Sequence, residues 1–186
     1  MSFRYEIRLS GEGGQGLVLA GKVLTEAAAI YEDMNATQSQ SYGPEARGGA
    51  SRSEVIISDE DIDYPKAVNI DLMLALTQES CNRYWHDLKD SGILLVDSDA
   101  VEKCPEGKFQ VFRVPIINMA REKVGKVVVA NIVALGIITE LMGLVSVQSV
   151  ESAILTRVPK GTEELNLKAF RLGLETGRNL KETKTK

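Results

Sequence analysis

Between Phe3 and Leu24 the chain changes its hydrophobic period, and the change falls on a run of glycines. Phe3, Tyr5, Ile7 and Leu9 alternate with Arg4, Glu6 and Arg8, the two-residue period of a strand. Ser10-Gly-Glu-Gly-Gly-Gln-Gly16 comes next, and from there Leu17, Ala20, Leu24, Ala27, Ala28 and Tyr31 recur at helical spacing. Strand, glycine turn and helix make the first half of a βαβ unit, which commits the chain to an α/β fold.

The remaining pattern agrees. Strands are predicted at Glu54–Ile57, Asp71–Thr77, Gly92–Asp97 and Phe109–Val114. The Gly92–Asp97 strand is apolar throughout, as parallel strands covered on both faces tend to be. Helices are predicted at Gln78–Lys89, Ile116–Val124, Ala130–Leu144, Val147–Thr156 after a Ser146 cap, and Glu163–Leu180. The polar stretch 35–53 reads as an exposed loop with a short strand at its start, and Ser58–Asp63 as an acidic turn. The expectation is a Rossmann-like three-layer α/β/α sandwich with a largely parallel sheet. With no repeat and no linker, residues 1–180 read as a single domain and 181–186 as a flexible tail.

Composition removes several functions. A net charge of −4 over 186 residues gives no field for gripping a nucleic acid, so none is expected as a partner. Two cysteines, Cys81 and Cys104, are too few for a disulfide scaffold, an iron–sulfur cluster or a structural zinc. Arg4, Glu6 and Arg8 stand where a signal peptide would need apolar residues. Val127–Val145 is long and apolar, yet Glu140 would cost about 3 kcal/mol inside a bilayer. That segment reads as a buried helix and the chain as a cytoplasmic protein without membrane contact.

Two loops carry residues suited to chemistry. Gly11, Gly13 and Gly16 satisfy G-x-G-x-x-G between strand and helix, where glycines admit positive φ and close ligand approach. The helix N-terminus offers unpaired N–H donors to a phosphate. The alternative is a tightly packed turn that binds nothing. A dinucleotide site also wants a second strand ending in an acid about 20 residues on, whereas Glu32 and Asp33 close the helix instead. No Gly-Lys-Ser/Thr follows, so the turn is not a Walker A loop. The second loop is Tyr42-Gly-Pro-Glu-Ala-Arg-Gly-Gly49. Its Arg47 either clamps a phosphate or carboxylate or pairs with a neighbouring acid. The sole histidine, His86, reads as a surface residue, so Ser–His–Asp or Cys–His catalysis has no footing. Cys81 and Cys104 read as packing residues. Asp97 and Asp99 read as either metal ligands or turn residues, and Asn131 as a cap or a contact to a loop or partner.

Taken in order, three segments resemble the γ subunit of 2-oxoacid:ferredoxin oxidoreductases over about residues 3–178. They are Ser10-Gly-Glu-Gly-Gly-Gln-Gly-Leu-Val-Leu-Ala-Gly-Lys22, Gln40-Ser-Tyr-Gly-Pro-Glu-Ala-Arg-Gly-Gly49 with Ser53-Glu-Val-Ile-Ile-Ser58, and Asn131-Ile-Val-Ala-Leu-Gly136. The resemblance implies a subunit, not catalytic by itself, of a complex that oxidatively decarboxylates a 2-oxoacid, reduces ferredoxin and forms an acyl-coenzyme A. It implies α, β and ferredoxin-like δ subunits as partners, with thiamine diphosphate, Mg²⁺ and iron–sulfur clusters held on them. Carried onto this sequence, it implies that Gly11, Gly13, Gly14, Gln15 and Gly16, with Arg47, Gly48 and Gly49, bind coenzyme A, and that Lys22 assists. Tyr42–Pro65, including Asp61-Ile-Asp-Tyr-Pro65, looks most like the 2-oxoglutarate branch, with pyruvate and branched-chain 2-oxoacids left open. A stand-alone dinucleotide-binding oxidoreductase and a purely structural subunit are the competing readings.

Overall fold

The computed structural model describes residues 2–42 and 49–184. Six strands form one sheet in the order β2-β3-β1-β4-β5-β6. β1 (Arg4–Glu12) lies near its middle, between β3 (Ala50–Ser58) and β4 (Ile70–Ala75). β4, β5 (Leu88–Asp97) and β6 (Gln110–Val114) continue from β1 in parallel, while β3 alone runs antiparallel, between β1 and the edge strand β2 (Asn35–Tyr42). The α/β sandwich is therefore present, with a mixed sheet.

The alternating side chains of the strands build two cores of unequal depth. Ile7, Leu9, Val55, Ile57, Leu72 and Leu74 face the larger one. It is covered by α1 (Leu17–Glu26, continuing as a π turn to Tyr31), α3 (Ile116–Met119, with a π turn to Val124), α4 (Ala130–Met142), α5 (Val147–Arg157) and α6 (Glu163–Lys184). Ile56, Met73, Ala75, Leu94 and Val96 face the smaller core, closed by the short α2 (Gln78–Tyr84) and by the loop carrying Val101, Cys104 and Phe109. The predicted buried helix is α4, every residue of which from Ala130 to Thr139 is buried. Among the described residues no helix is long and apolar enough to cross a membrane.

Two local expectations are corrected. The stretch read as an exposed loop with a short strand at its start holds the eight residues of β2 and the first four of β3, and β2 pairs with β3 without a bulge from Asn35 against Ser58 to Tyr42 against Ser51. Its polar side chains are used inside the fold: Gln38 Nε2 donates to Ser53 Oγ at 2.9 Å and to the Val18 carbonyl of α1 at 3.1 Å. Hydropathy misses a strand whose inward residues are bonded amides and hydroxyls. The helix predicted at Gln78–Lys89 ends at Tyr84. A 3-10 turn, Trp85–Asp87, leads directly into β5, which starts at Leu88 and not at Gly92. The Ser146 cap stands as expected, its hydroxyl accepting from the Ser149 N–H.

Candidate functional site

The glycine turn lies where β1 and β4, adjacent and parallel, send their following helices to opposite faces of the sheet. α1 covers the larger core and α2 the smaller, which leaves a crevice beyond the carboxyl ends of the two strands, the usual ligand position of open α/β sheets. β1 runs through Gly11 to Glu12, so the turn proper is Gly13–Gly16. Gly14 and Gly16 have φ of 93° and 75°, a region that side chains rarely enter. Gly13 and Gly14 are exposed, and side chains there would meet nothing within 4 Å. The bend is therefore not plugged by the protein's own side chains at those two positions.

At the start of α1, the N–H groups of Leu17–Leu19 have no intrahelical acceptor. Gly16 supplies no capping side chain, and no acid stands in the first turn. A positive helix end that is neither capped nor neutralised suits an anion.

Each of the three sequence segments reaches this turn. The Gly13 N–H donates to the Gly49 carbonyl at 3.3 Å, joining the first loop to the end of the second. Asn131, the second residue of α4, donates from Nδ2 to the Gly16 carbonyl at 3.0 Å. Its Oδ1 is buried and meets no donor among the described residues. The Gly16 carbonyl fixes which end of the amide faces it, so the remaining valence is an acceptor. The neighbouring cavity, about 100 Å³, is lined by Gly14, Gln15, Leu76, Ile117, Val127 and Val128, with Ala130 at its back. Val127 and Val128 are 44% and 71% exposed and form an apolar lip.

The other predicted residues divide between the turn and other places. Gln15 builds the turn: its Oε1 accepts the Glu12 N–H at 2.7 Å and occupies the space a side chain at Gly11 would need. Arg47 and Gly48 lie outside the described residues. Lys22 lines a separate groove with Ile30, Gln38 and Arg157. Asp97 is fully buried, with Oδ1 accepting from the N–H groups of Asp99 and Ala100 and Oδ2 from Ile117. It anchors the loop after β5 and the start of α3. Among the described residues no cluster of three or more His, Cys, Asp or Glu side chains is placed to hold a metal. Val127 and Val128, read as the start of a buried helix, instead stand exposed in a 3-10 turn before α4, and neither they nor Leu76 carried a binding motif in the sequence.

A profile of the pyruvate ferredoxin/flavodoxin oxidoreductase family matches residues 6–176, and the chain belongs to that family. It is 50% identical over 182 residues to the 2-oxoglutarate synthase subunit KorC of Methanocaldococcus jannaschii, covering 97% of each chain. The crystal structure of a keto/oxoacid ferredoxin oxidoreductase γ subunit from Geobacter sulfurreducens superposes with a TM-score of 0.88 at 55% identity, covering 95% of this chain and 98% of that one. The fold also recurs within the 2-oxoglutarate:ferredoxin oxidoreductase of Magnetococcus marinus, solved with 2-oxoglutarate, coenzyme A and succinyl-CoA. That match has a TM-score of 0.82 at 20% identity and covers 95% of this chain but 31% of that one. The resemblance read from the three segments is borne out.

Proposed function

We propose that this chain is the γ subunit of a cytoplasmic 2-oxoglutarate:ferredoxin oxidoreductase and that its glycine turn holds a phosphate of coenzyme A. The full-length similarity to KorC and to a γ subunit supports the subunit role and the 2-oxoglutarate branch. The observation that carries the site is the convergence of Gly13, Gly49, Gly16 and Asn131 on one uncapped helix end. The ligand is anionic and also brings an N–H or O–H donor, because the buried Asn131 Oδ1 needs one. Coenzyme A has phosphates, amides and hydroxyls on one flexible chain, and the apolar cavity beside Gly14 suits its thin middle section. Coenzyme A supplies the thiol that receives the acyl group. Thiamine diphosphate, Mg²⁺ and the iron–sulfur clusters belong to the α, β and δ subunits, and ferredoxin takes the electrons.

The dinucleotide reading lacks its acidic partner. Glu32 caps α5, its Oε1 accepting from the Ser146 N–H at 2.9 Å and the Ser149 hydroxyl at 2.6 Å. β2 lies at the sheet edge and ends at Tyr42, and the strand beside β1 on that side is the antiparallel β3, so among the described residues no parallel neighbour offers an acid there.

Gly13→Leu tests the site in the assembled complex. The side chain has open space and φ at Gly13 is not positive, so stability should stay within about 0.5 kcal/mol. The KM for coenzyme A should rise about tenfold or more, equivalent to about 1.4 kcal/mol of binding, with thiamine diphosphate binding unchanged. Arg47→Glu should act in the same direction. Unaltered coenzyme A kinetics in both variants would remove the turn from the site.

A further inference from the structure

Away from the glycine turn, a group of reactive side chains lies in the smaller core. Cys81 is on α2 and Cys104 in the loop between β5 and β6, and both are free thiols in one apolar cluster. A two-point clamp brings their segments together. Gln78 Nε2 donates to the Lys103 carbonyl at 2.8 Å, and its Oε1 accepts the Lys103 N–H at 3.0 Å. Cys81 follows Gln78 by three residues and shares its helix face, and Cys104 is the residue after Lys103.

From β6, Arg113 completes the group. Its Nη1 donates to Cys104 Sγ at 3.1 Å, and Nη2 is held by the Val101 carbonyl at 2.6 Å. The guanidinium thus stands beside any negative charge that develops on that sulfur, and the thiolate is the nucleophilic form of cysteine. The two thiols differ in access: Cys104 is partly exposed and Cys81 is buried. Burial first, and then the neighbouring Cys104 charge, push the Cys81 thiol up to about 11, with Arg113 opposing in part.

We propose that Cys81 and Cys104 are a peroxide-reactive dithiol that closes to an intramolecular disulfide, with Cys104 reacting first. The Cys104 sulfur attacks one peroxide oxygen, the O–O bond breaks, and the second oxygen leaves as water while Cys104 becomes a sulfenic acid. The Cys81 sulfur then displaces the sulfenic hydroxyl, which leaves as a second water with the Cys81 proton. Two thiols and one hydrogen peroxide give one disulfide and two waters. Both sulfurs are oxidised and both peroxide oxygens reduced. The bond staples the loop after β5 onto α2, and thiol–disulfide exchange reverses it.

The full-length chain, treated with hydrogen peroxide and digested without reduction, tests this. The expected result is a monomer lighter by two hydrogens, a linked Cys81–Cys104 peptide, and recovery of both thiols with dithiothreitol. Cys81→Ser should leave a sulfenic acid at position 104 that a dimedone probe labels, and Cys104→Ser should leave Cys81 unlabelled. Arg113→Met should slow disulfide formation about tenfold, because it removes the guanidinium donor from the Cys104 sulfur. Circular dichroism of each variant checks that it is folded. Oxidation of Cys104 to sulfinic acid with Cys81 still free, or disulfides formed only between chains, would overturn the proposal.

Discussion

Asn131 Nδ2 donates to the carbonyl of Gly16, a bond of 3.0 Å across 115 positions that ties the start of α4 to the start of α1. The amide packs so closely on Gly16 that a Cβ there would lie 2.4 Å from Nδ2. Gly16→Ala meets two costs, this overlap and a left-handed backbone worth about 1–2 kcal/mol. Asn131→Ala removes the overlap together with the tether. In urea titrations the double variant should therefore lose less stability than the sum of the singles, with a coupling of about 0.5–3 kcal/mol. Strict additivity would show that the two residues do not determine each other's place.

A second tether works through charge. Glu32 closes α1's π extension and caps α5, and its carboxyl is held below the ordinary range, first by the Ser146 and Ser149 side chains and then by the Ser146 N–H, with burial acting in the opposite sense. A lowered folded pKa means that the contribution is fully present above the unfolded glutamate value of about 4.3 and is lost as pH falls through the lower folded value. Glu32→Gln should cost about 1 kcal/mol at pH 7, in the range of an N-terminal cap. The difference from wild type should shrink as pH falls below about 4. A difference that stayed constant down to pH 3 would assign the effect to packing.

The sequence showed the parts of this fold that depend on hydropathy and little of what depends on bonded polar groups. β1, β4 and α4 announce themselves because Ile7, Leu9, Leu72, Leu74 and the α4 residues bury apolar side chains at a fixed period. The full length of β2, of which only a short strand was expected, and the first half of β3 escape because Gln38, Ser51 and Ser53 are polar residues facing inward. Within the site, the glycines were legible as chemistry, since an exposed strand-to-helix turn has few other reasons to contain so many. The bond from the Glu12 N–H to the Gln15 side chain was not legible, because spacing cannot show that Oε1 folds back within the turn. Asn131 was recognisable as a contact, but its partner 115 residues away was not.

The apolar helix α4 also contains a glycine with a purely steric purpose. A Cβ at Gly136 would lie 2.2 Å from the Phe170 carbonyl of α6, and one at Gly173 would lie 2.1 Å from the Val133 carbonyl. The two helices thus touch backbone to backbone, and neither atom in the way belongs to a flexible side chain. Gly136→Ala gains helix propensity of about 1 kcal/mol but must part the helices, so a net loss of at least about 1–3 kcal/mol is expected from overpacking. Thermal denaturation would measure it. A raised Tm would mean that α6 shifts freely along α4, contrary to the packing described.

Beneath the sheet, Arg8 on β1 is 1% exposed and fully engaged. It donates from Nε to Glu54 Oε1 and from Nη1 to the Tyr84 carbonyl, and pairs through Nη1 with Asp87, at 2.7–2.8 Å. These bonds link β1 and β3 to the turn between α2 and β5, which helps fix where the helix that flanks the crevice ends. A buried ion pair is poor evidence of net stabilisation, since the desolvation of both charges opposes their attraction, but removing one partner strands the other. Arg8→Met leaves the Glu54 carboxylate, 9% exposed, with only Arg52 at 3.5 Å. The single variant should lose about 3–5 kcal/mol, whereas Arg8→Met with Glu54→Leu should recover most of that loss. Guanidinium titrations of the two variants decide between the accounts. A double variant as unstable as the single would mean that Arg8 acts through its bond to the Tyr84 carbonyl, and that the carboxylate contributes little to holding β1 against the α2–β5 turn.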